Sequence, residues 1–294
     1  MRPNTIRSIW EQDGCILNGW LHVPNGFTAE VMAHAGWDSL TIDMQHGVID
    51  YGAAVGMLQA ITTTSLIPLA RVPWNEPGMI MKMLDAGCYG IICPMIDSRT
   101  ACEAFVGACH YPPQGYRSFG PVRALLYAGQ DYAAHADATV ITMAMIETRE
   151  AVKNLHDILS TPGLDAIYVG PADLSQSFGY EPRVDPVEPE ITNVIEQITA
   201  AAREHGVIAG MHTGSVEYAQ QMAAKGMQFL TISSDARLMA AAAAQATSAF
   251  HSVKSAQAAT SGYRSKQWVV YAGVKAGNES SGEPCSGCER ACNR

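Results

Sequence analysis

Ala144-Met145-Ile146-Glu147-Thr148-Arg149-Glu150 is an apolar run that ends on an acid and passes at once into a helical pattern, and Tyr168-Val169-Gly170-Pro171-Ala172-Asp173-Leu174 repeats the plan further along. Working outward from these two segments, the same unit recurs along the chain. β-branched apolar runs predict strands at Ile16 to His22, Ser39 to Asp43, Leu66 to Arg71, Gly90 to Met95, Val140 to Glu147, Ala166 to Gly170, Val207 to His212 and Gln228 to Ile232. Between them lie 3.6-residue apolar patterns, for example Tyr51 to Thr62, Pro77 to Ala86, Thr100 to Cys109, Arg149 to Leu159, Glu190 to Glu204, Val216 to Ala224 and Ala236 to Phe250. Parallel strands require such crossovers, and eight strand-helix repeats predict an α/β chain folded as a (β/α)8 TIM barrel. An open doubly wound sheet uses the same units. Its glycine-rich G-x-G-x-x-G turn is missing, however, and the polar residues follow many strands rather than one switch point. The long connection His110 to Ala138 is expected to be irregular, and a loop of that length is often functional.

The chain has 294 residues, 48% of them hydrophobic and 16% charged, with 28 Asp+Glu against 19 Lys+Arg and a formal charge of -9. That composition predicts a globular protein with a sizeable core, and the acidity argues against nucleic acid or an anionic membrane as partner. Apolar runs are too short to span a bilayer and no secretory signal is readable, so a cytoplasmic location is expected. Cys15, Cys88, Cys93, Cys102 and Cys109 sit singly in apolar or helical stretches and read as buried reduced thiols.

Composition changes at His251. Residues 251–294 hold six Lys or Arg against three Glu, so the -9 divides into -12 on residues 1–250 and +3 on a Ser/Gly/Ala-rich tail. The tail, with one strand-like patch at Gln267 to Val274, is expected to be a disordered, low-complexity appendage to the 1–250 barrel. Cys285, Cys288 and Cys292 have ligand-like spacing but lack a fourth protein ligand nearby, so free thiols are the expectation.

A barrel builds its active site where strands end, and the strand-terminal polar residues are Trp20 and His22, Asp43 and His46, Arg71, Glu147, Asp173, His212, and Ser233 with Asp235. Glu147 and Asp173, on neighbouring strands, suit Mg²⁺ or Mn²⁺, while each taken singly also fits a helix-dipole acid. Gly170-Pro171-Ala172-Asp173 opens a helical turn whose N–H groups suit a carboxylate, or is simply a Pro-initiated helix. Asp43, three residues before His46, is placed to fix that ring's tautomer for general-base work. Arg71 ends an apolar strand and needs an anion, either an ion-pair partner or a substrate oxyanion. Trp20 is a pocket wall or core, His212 a substrate contact, metal ligand or loop histidine, and Asp85 a surface acid closing its helix.

Ile42-Asp43-x2-His46, Leu69-Ala70-Arg71-Val72-x2-Asn75-x-Pro77, Tyr111-Pro112-Pro113-x-Gly115, Ile146-Glu147-Thr148-Arg149-Glu150-Ala151 and Gly170-Pro171-Ala172-Asp173-Leu174-Ser175 together resemble the HpcH/HpaI aldolase family, in order, from about Ile6 to Phe250. The resemblance implies a class II aldolase that joins pyruvate or hydroxypyruvate to an aldehyde through an enolate, as in aromatic-compound catabolism. It implies Glu147 and Asp173 as ligands of a divalent metal, Mg²⁺ or Mn²⁺ foremost with Co²⁺ or Zn²⁺ as further candidates, and no organic cofactor. It also assigns Arg71 to the enolate oxygen, His46 with Asp43 to proton transfer, and Gly170, Ala172 and Asp173 to the substrate carboxylate. Trp20 and His212 would line the substrate site, and the family implies a homohexamer. Gln45, where many members have Glu, suits the hydroxypyruvate-type branch, and His212 implies a more polar aldehyde site. A citrate-lyase-type CoA-ester lyase and a non-catalytic 2-keto acid binding barrel are the rival readings. Deleting residues 251–294 is expected to leave the protein's Zn and Fe content, measured by mass spectrometry, unchanged; loss of either metal would make the tail a metal-binding module.

Overall fold

The computed structural model describes residues 1–258, with side chains placed through residue 251. Eight parallel strands, β1 (Ile16–Leu21), β2 (Ser39–Asp43), β3 (Ile67–Arg71), β4 (Gly90–Cys93), β5 (Ile141–Ile146), β6 (Ala166–Val169), β7 (Ile208–Thr213) and β8 (Phe229–Ile232), pair in chain order, and β8 closes onto β1. The (β/α)8 TIM barrel read from the sequence is the fold. Strands buried on both faces read as continuous apolar runs, and their alternation divides two cores. Along β5, Ile141, Met143 and Met145 fill the barrel interior with Trp20, Leu69, Tyr168 and Phe229. Ala144 and Ile146 face the helical layer instead.

The helices are α1 (Thr5–Trp10), α2 (Gly26–Ala33), α3 (Tyr51–Ile61), α4 (Pro77–Asp85), α5 (Arg99–Cys109), α6 (Val122–Ala128), α7 (Tyr132–Thr139), α8 (Arg149–Lys153), α9 (Leu155–Leu159), α10 (Pro171–Ser177), α11 (Pro189–Glu204), α12 (Val216–Ala224) and α13 (Asp235–Ala258). Side chains of Asp50, Ser98, Thr148 and Ser215 cap α3, α5, α8 and α12, each accepting a first-turn N–H just after a strand end. Among the described residues no helix is long and apolar enough to cross a membrane. The compact unit that contains the barrel is Met1–Gln245. Gln267 to Val274 and Cys285, Cys288 and Cys292 lie outside the described residues.

Four expectations change. The stretch 110–138 is not one irregular loop but carries α6 and α7, and it covers the N-terminal end of the barrel, opposite the strand ends. Arg123 Nη2 donates to Thr62 Oγ1 and Nη1 to the carbonyl of Ala86, both ahead of strands, and the carbonyl of Ala128 accepts from the amide of Arg2. Asp85 is not a free surface acid; its Oδ1 accepts from Arg117 Nη2 at 2.6 Å, and Arg117, only 1% exposed, also donates to the Tyr132 hydroxyl at 2.9 Å. The helix read over 149–159 is two, because Asn154 leaves the helical path and donates its side-chain amide to the carbonyl of Asp97 and to Glu150. Cys15 is exposed, whereas Cys88, Cys93, Cys102 and Cys109 are buried free thiols.

Breaking a fully buried ion pair costs about 3–5 kcal/mol, and the partial exposure of Asp85 lowers that figure. Asp85→Asn is therefore expected to lower unfolding stability in urea by about 2 kcal/mol; a change within ~0.5 kcal/mol would show that Arg117 does not depend on that carboxylate.

Candidate active site

Register brings Asp43, at the end of β2, directly opposite Arg71, at the end of β3. Arg71 donates side-on, Nε to Oδ1 at 2.9 Å and Nη2 to Oδ2 at 2.6 Å. From β1 and the residue after it, Trp20 Nε1 donates to Oδ2 at 3.1 Å and His22 Nε2 at 2.8 Å. The backbone amides of Gln45 and His46 donate to Oδ1 at 3.0 and 3.2 Å. Asp43 is fully buried. Burial alone would raise its carboxyl, but the hydrogen bonds of His22 and Arg71, the Arg71 charge and the Trp20 bond hold it well below the usual range. The ring that reaches Asp43 is thus that of His22, and the short sequence spacing to His46 is used for a turn amide instead. His46 is exposed and lines the mouth of the site.

Glu147, one residue past β5, is in the opposite state. It is buried, and its Oε1 accepts the Met95 amide at 2.8 Å. Met95 adopts a left-handed φ of 56°, a strained conformation that aims that amide at the carboxylate. Burial first, with the charges of Asp173 and Asp97, outweighs the Met95 amide and the Arg71 charge and pushes the Glu147 carboxyl up to about 7. A Cβ at Gly170 would collide with Glu147 Oε2, so glycine there keeps that oxygen clear. At the start of α10, Pro171 has no N–H and Gly170 offers no capping side chain, which leaves the first-turn amides of Ala172 and Asp173 outside the intrahelical ladder.

A cavity of about 200 Å³ opens at the C-terminal end of the barrel. Trp20, Arg71, Met145 and Tyr168 form its floor, Gly170 to Asp173 one side, and His22, His46, His212, Ser234 and Arg237 the other. Trp20 is both core and wall: it stacks on Tyr168 with centroids 5.7 Å apart, and Arg71 lies over its ring at 4.9 Å. Tyr168 shares a 3.2 Å hydrogen bond with His212 Nδ1. Burial first, then the charges of Arg71, Arg237 and His22, pushes His212 down to about 3, so its ring is neutral near pH 7.

Trp20, His46, Arg71, Gly170, Ala172, Asp173 and His212 all line this one cavity, while Asp43 and Glu147 support it from behind. One family profile matches residues 19–264, from within β1 through α13. The chain belongs to the HpcH/HpaI aldolase/citrate lyase family. It is 41% identical over 242 residues to a hydroxypyruvate/pyruvate aldolase of Rhizorhabdus wittichii, covering 82% of this chain and 96% of the relative. It is 35% identical over 229 residues to a 4-hydroxy-2-oxo-heptane-1,7-dioate aldolase of Escherichia coli, covering 76% and 86%. An HpcH/HpaI aldolase/citrate lyase family protein from Burkholderia cenocepacia has a similar crystal structure, with a TM-score of 0.79 at 30% identity over 84% of this chain and 99% of that one.

Within this HpcH/HpaI barrel, the strand-end rule also pointed at His22 and Asp235. Asp235 accepts the amides of His22 and Val23 at 2.8 and 3.2 Å, fastening the end of β8 to that of β1. Met95, Ser234 and Arg237 were not singled out. Met95 contributes only its backbone, and Ser234 and Arg237 open a helix with no motif of their own.

Because Glu147 holds its proton up to about pH 7 when folded but releases it near 4.5 when unfolded, the unfolded state gains between those values, and metal-free stability falls as pH rises through that window. In EDTA at pH 8, Glu147→Gln is expected to be more stable than the native protein by on the order of 3 kcal/mol, and no different at pH 4. Equal pH dependence of thermal unfolding in both proteins would contradict the burial argument.

Proposed function

We infer that this chain is a divalent-metal-dependent aldolase that reversibly adds pyruvate or hydroxypyruvate to an aldehyde, cleaving 4-hydroxy-2-oxo acids in reverse. The observation that carries this reading is the buried Glu147 carboxylate, short of compensating partners, with Asp173 beside it and Gly170 keeping Oε2 clear. Among the described residues no three His, Cys, Asp or Glu side chains converge as a metal cluster, so the protein supplies a pair. Two carboxylates fit a hard cation such as Mg²⁺ or Mn²⁺ whose other positions are left to water and substrate oxygens. When bound, that ion would acidify the C3 protons of a 2-keto acid and stabilise the enolate charge.

The chain's own groups account for the rest. The amides of Ala172 and Asp173 would hold the substrate carboxylate. Arg71 is clamped by Asp43 through Nε and one edge of Nη2, which leaves Nη1, 4.0 Å from Met145 Sδ, for the oxygen that becomes negative in the enolate. His46 at the cavity mouth would take the C3 proton and return it to the new hydroxyl. Among the described residues no lysine lines the cavity, so none of them offers an amine for a Schiff base there. Hydroxypyruvate as donor is supported by Gln45 and by the similarity to the hydroxypyruvate/pyruvate aldolase of Rhizorhabdus wittichii.

Homo-oligomerisation through the last helix is part of this reading. From Arg237 onward the described side chains of α13 are exposed, among them Leu238 and Met239. An exposed helix with apolar residues on it is stabilised by a neighbouring subunit. Light scattering is expected to give a mass several times the 31.5 kDa chain, six copies by the family resemblance; a monomer would contradict it.

Loss of the pyruvate methyl signal in D₂O with Mg²⁺ or Mn²⁺ tests the chemistry. The native protein is expected to exchange these protons and Glu147→Ala to exchange them at least about 100-fold more slowly; native exchange in the variant would remove the assignment. A CoA-ester lyase would instead cleave a carbon–carbon bond in the acyl chain of a CoA thioester without supporting this exchange.

A further inference from the structure

Two histidines that take no part in the chemistry above meet away from the cavity. His205 closes α11 just ahead of β7, at the barrel end opposite the catalytic one, and His156 reaches it from α9. His156 Nδ1 and His205 Nε2 stand 3.0 Å apart. Their rings are tilted at 45° with centroids 5.3 Å apart, and both residues are exposed.

Both backbones are held from below. α11 ends in a closed turn: the His205 amide donates to the carbonyl of Ala201, and the amides of Gly206 and Val207 donate to those of Arg203 and Ala202, with Gly206 at a left-handed φ of 68°. Leu155, Ile158 and Leu159 of α9 are buried in the same core as Ile198, Ala201 and Ala202 of α11. Packing therefore brings the imidazoles together. Their own hydrogen bond is a minor contribution, about 1 kcal/mol, because water can replace either partner at an exposed position.

Two ring nitrogens that face each other from fixed backbones have the spacing of a chelate. With metal–nitrogen bonds of about 2.0–2.1 Å, cis imidazole nitrogens lie about 2.9 Å apart at a right angle and about 3.3 Å apart at the tetrahedral angle. The observed 3.0 Å falls inside that span, so the exposed rings have only to turn toward an ion while the helices stay in place. The ring that donates in the present bond passes that proton to its far nitrogen by exchange with water. Both facing lone pairs are then free and no proton is lost overall. Among the described residues no third His, Cys, Asp or Glu joins the pair, and solvent at both rings supplies water for the remaining positions. The carbonyl end of α11, a 16-residue helix, carries partial negative charge that favours a cation.

We propose that His156 and His205 form a second metal site, which takes one transition-metal ion of the Zn²⁺, Ni²⁺ and Cu²⁺ class and ties α9 to α11. Its nitrogen ligands separate it from the carboxylate pair Glu147 and Asp173, because Mg²⁺ and Mn²⁺ favour oxygen whereas Cu²⁺, Ni²⁺ and Zn²⁺ suit imidazole. The site stands independently of the aldolase reading.

Two measurements on the full chain test it, after alkylation of accessible thiols, Cys15 among them. The first titrates Cu²⁺ near neutral pH and counts imidazole nitrogens on the bound ion by pulsed electron paramagnetic resonance. The native protein is expected to hold an ion with two imidazoles, and His156→Gln and His205→Gln each to lose that species and about one equivalent of bound Cu²⁺. Equal stoichiometry and equal spectra in the native protein and both variants would overturn the proposal. The second needs no variant: amide hydrogen exchange of the native protein with and without Zn²⁺, read by mass spectrometry. Zn²⁺ is expected to slow exchange several-fold in peptides covering α9 and the last turn of α11, and Mg²⁺ to leave them unchanged. Exchange there that is indifferent to Zn²⁺, or slowed equally by Mg²⁺, overturns it.

Discussion

A single carboxylate, Asp43, organises the catalytic end of this barrel. Removing a charge from water costs several kcal/mol, and it is sustained only where its lone pairs are filled. Here six hydrogen bonds fill them, from the ends of β1 and β3 and from the turn after β2. Each contact fixes something the site uses. The side-on pair with Arg71 holds the guanidinium in one plane with Nη1 turned to the cavity, and the turn amides set the backbone from which His46 reaches the mouth. Trp20, gripped by its Nε1, stacks on Tyr168 and carries Arg71 on its face.

Glu147 and Asp43 are both buried acids at strand ends, and their surroundings drive them apart. Asp43 is over-supplied with donors and stays charged; Glu147 has one amide and two acidic neighbours and tends to hold a proton. Such divergence separates a structural anchor from a group kept ready for a ligand, and here the unsatisfied member sits where the proposed cation would bind. The bare Gly170 leaves Glu147 Oε2 clear, while the strained Met95 backbone fixes Oε1 through its amide and works against the proton-holding state without cancelling it.

Much of this was legible in the chain because a parallel barrel writes itself as unbroken apolar runs with polar terminators. Each expected strand lies on an observed one, and the differences are physical. The fourth stops at Cys93 because Pro94 has no N–H and Met95 turns left-handed. What sequence spacing could not convey is register. Asp43 and His46 are close along the chain, yet the contacts that matter come from Arg71 and His22 across the sheet. Likewise the partner of Asp85 is Arg117, 32 residues away in a segment expected to be irregular. Ser234 and Arg237 were illegible because a cavity wall is defined by its neighbours, and those are assembled only by closure of β8 onto β1.

The pair Glu147 and Asp173 is the centre of the functional account. The direct test is electron paramagnetic resonance of the metal-free protein titrated with Mn²⁺, with and without pyruvate. One bound ion per chain, with a signal altered by pyruvate and lost in Asp173→Asn, is the predicted result. An Mn²⁺ signal that persists unchanged in Asp173→Asn would contradict it.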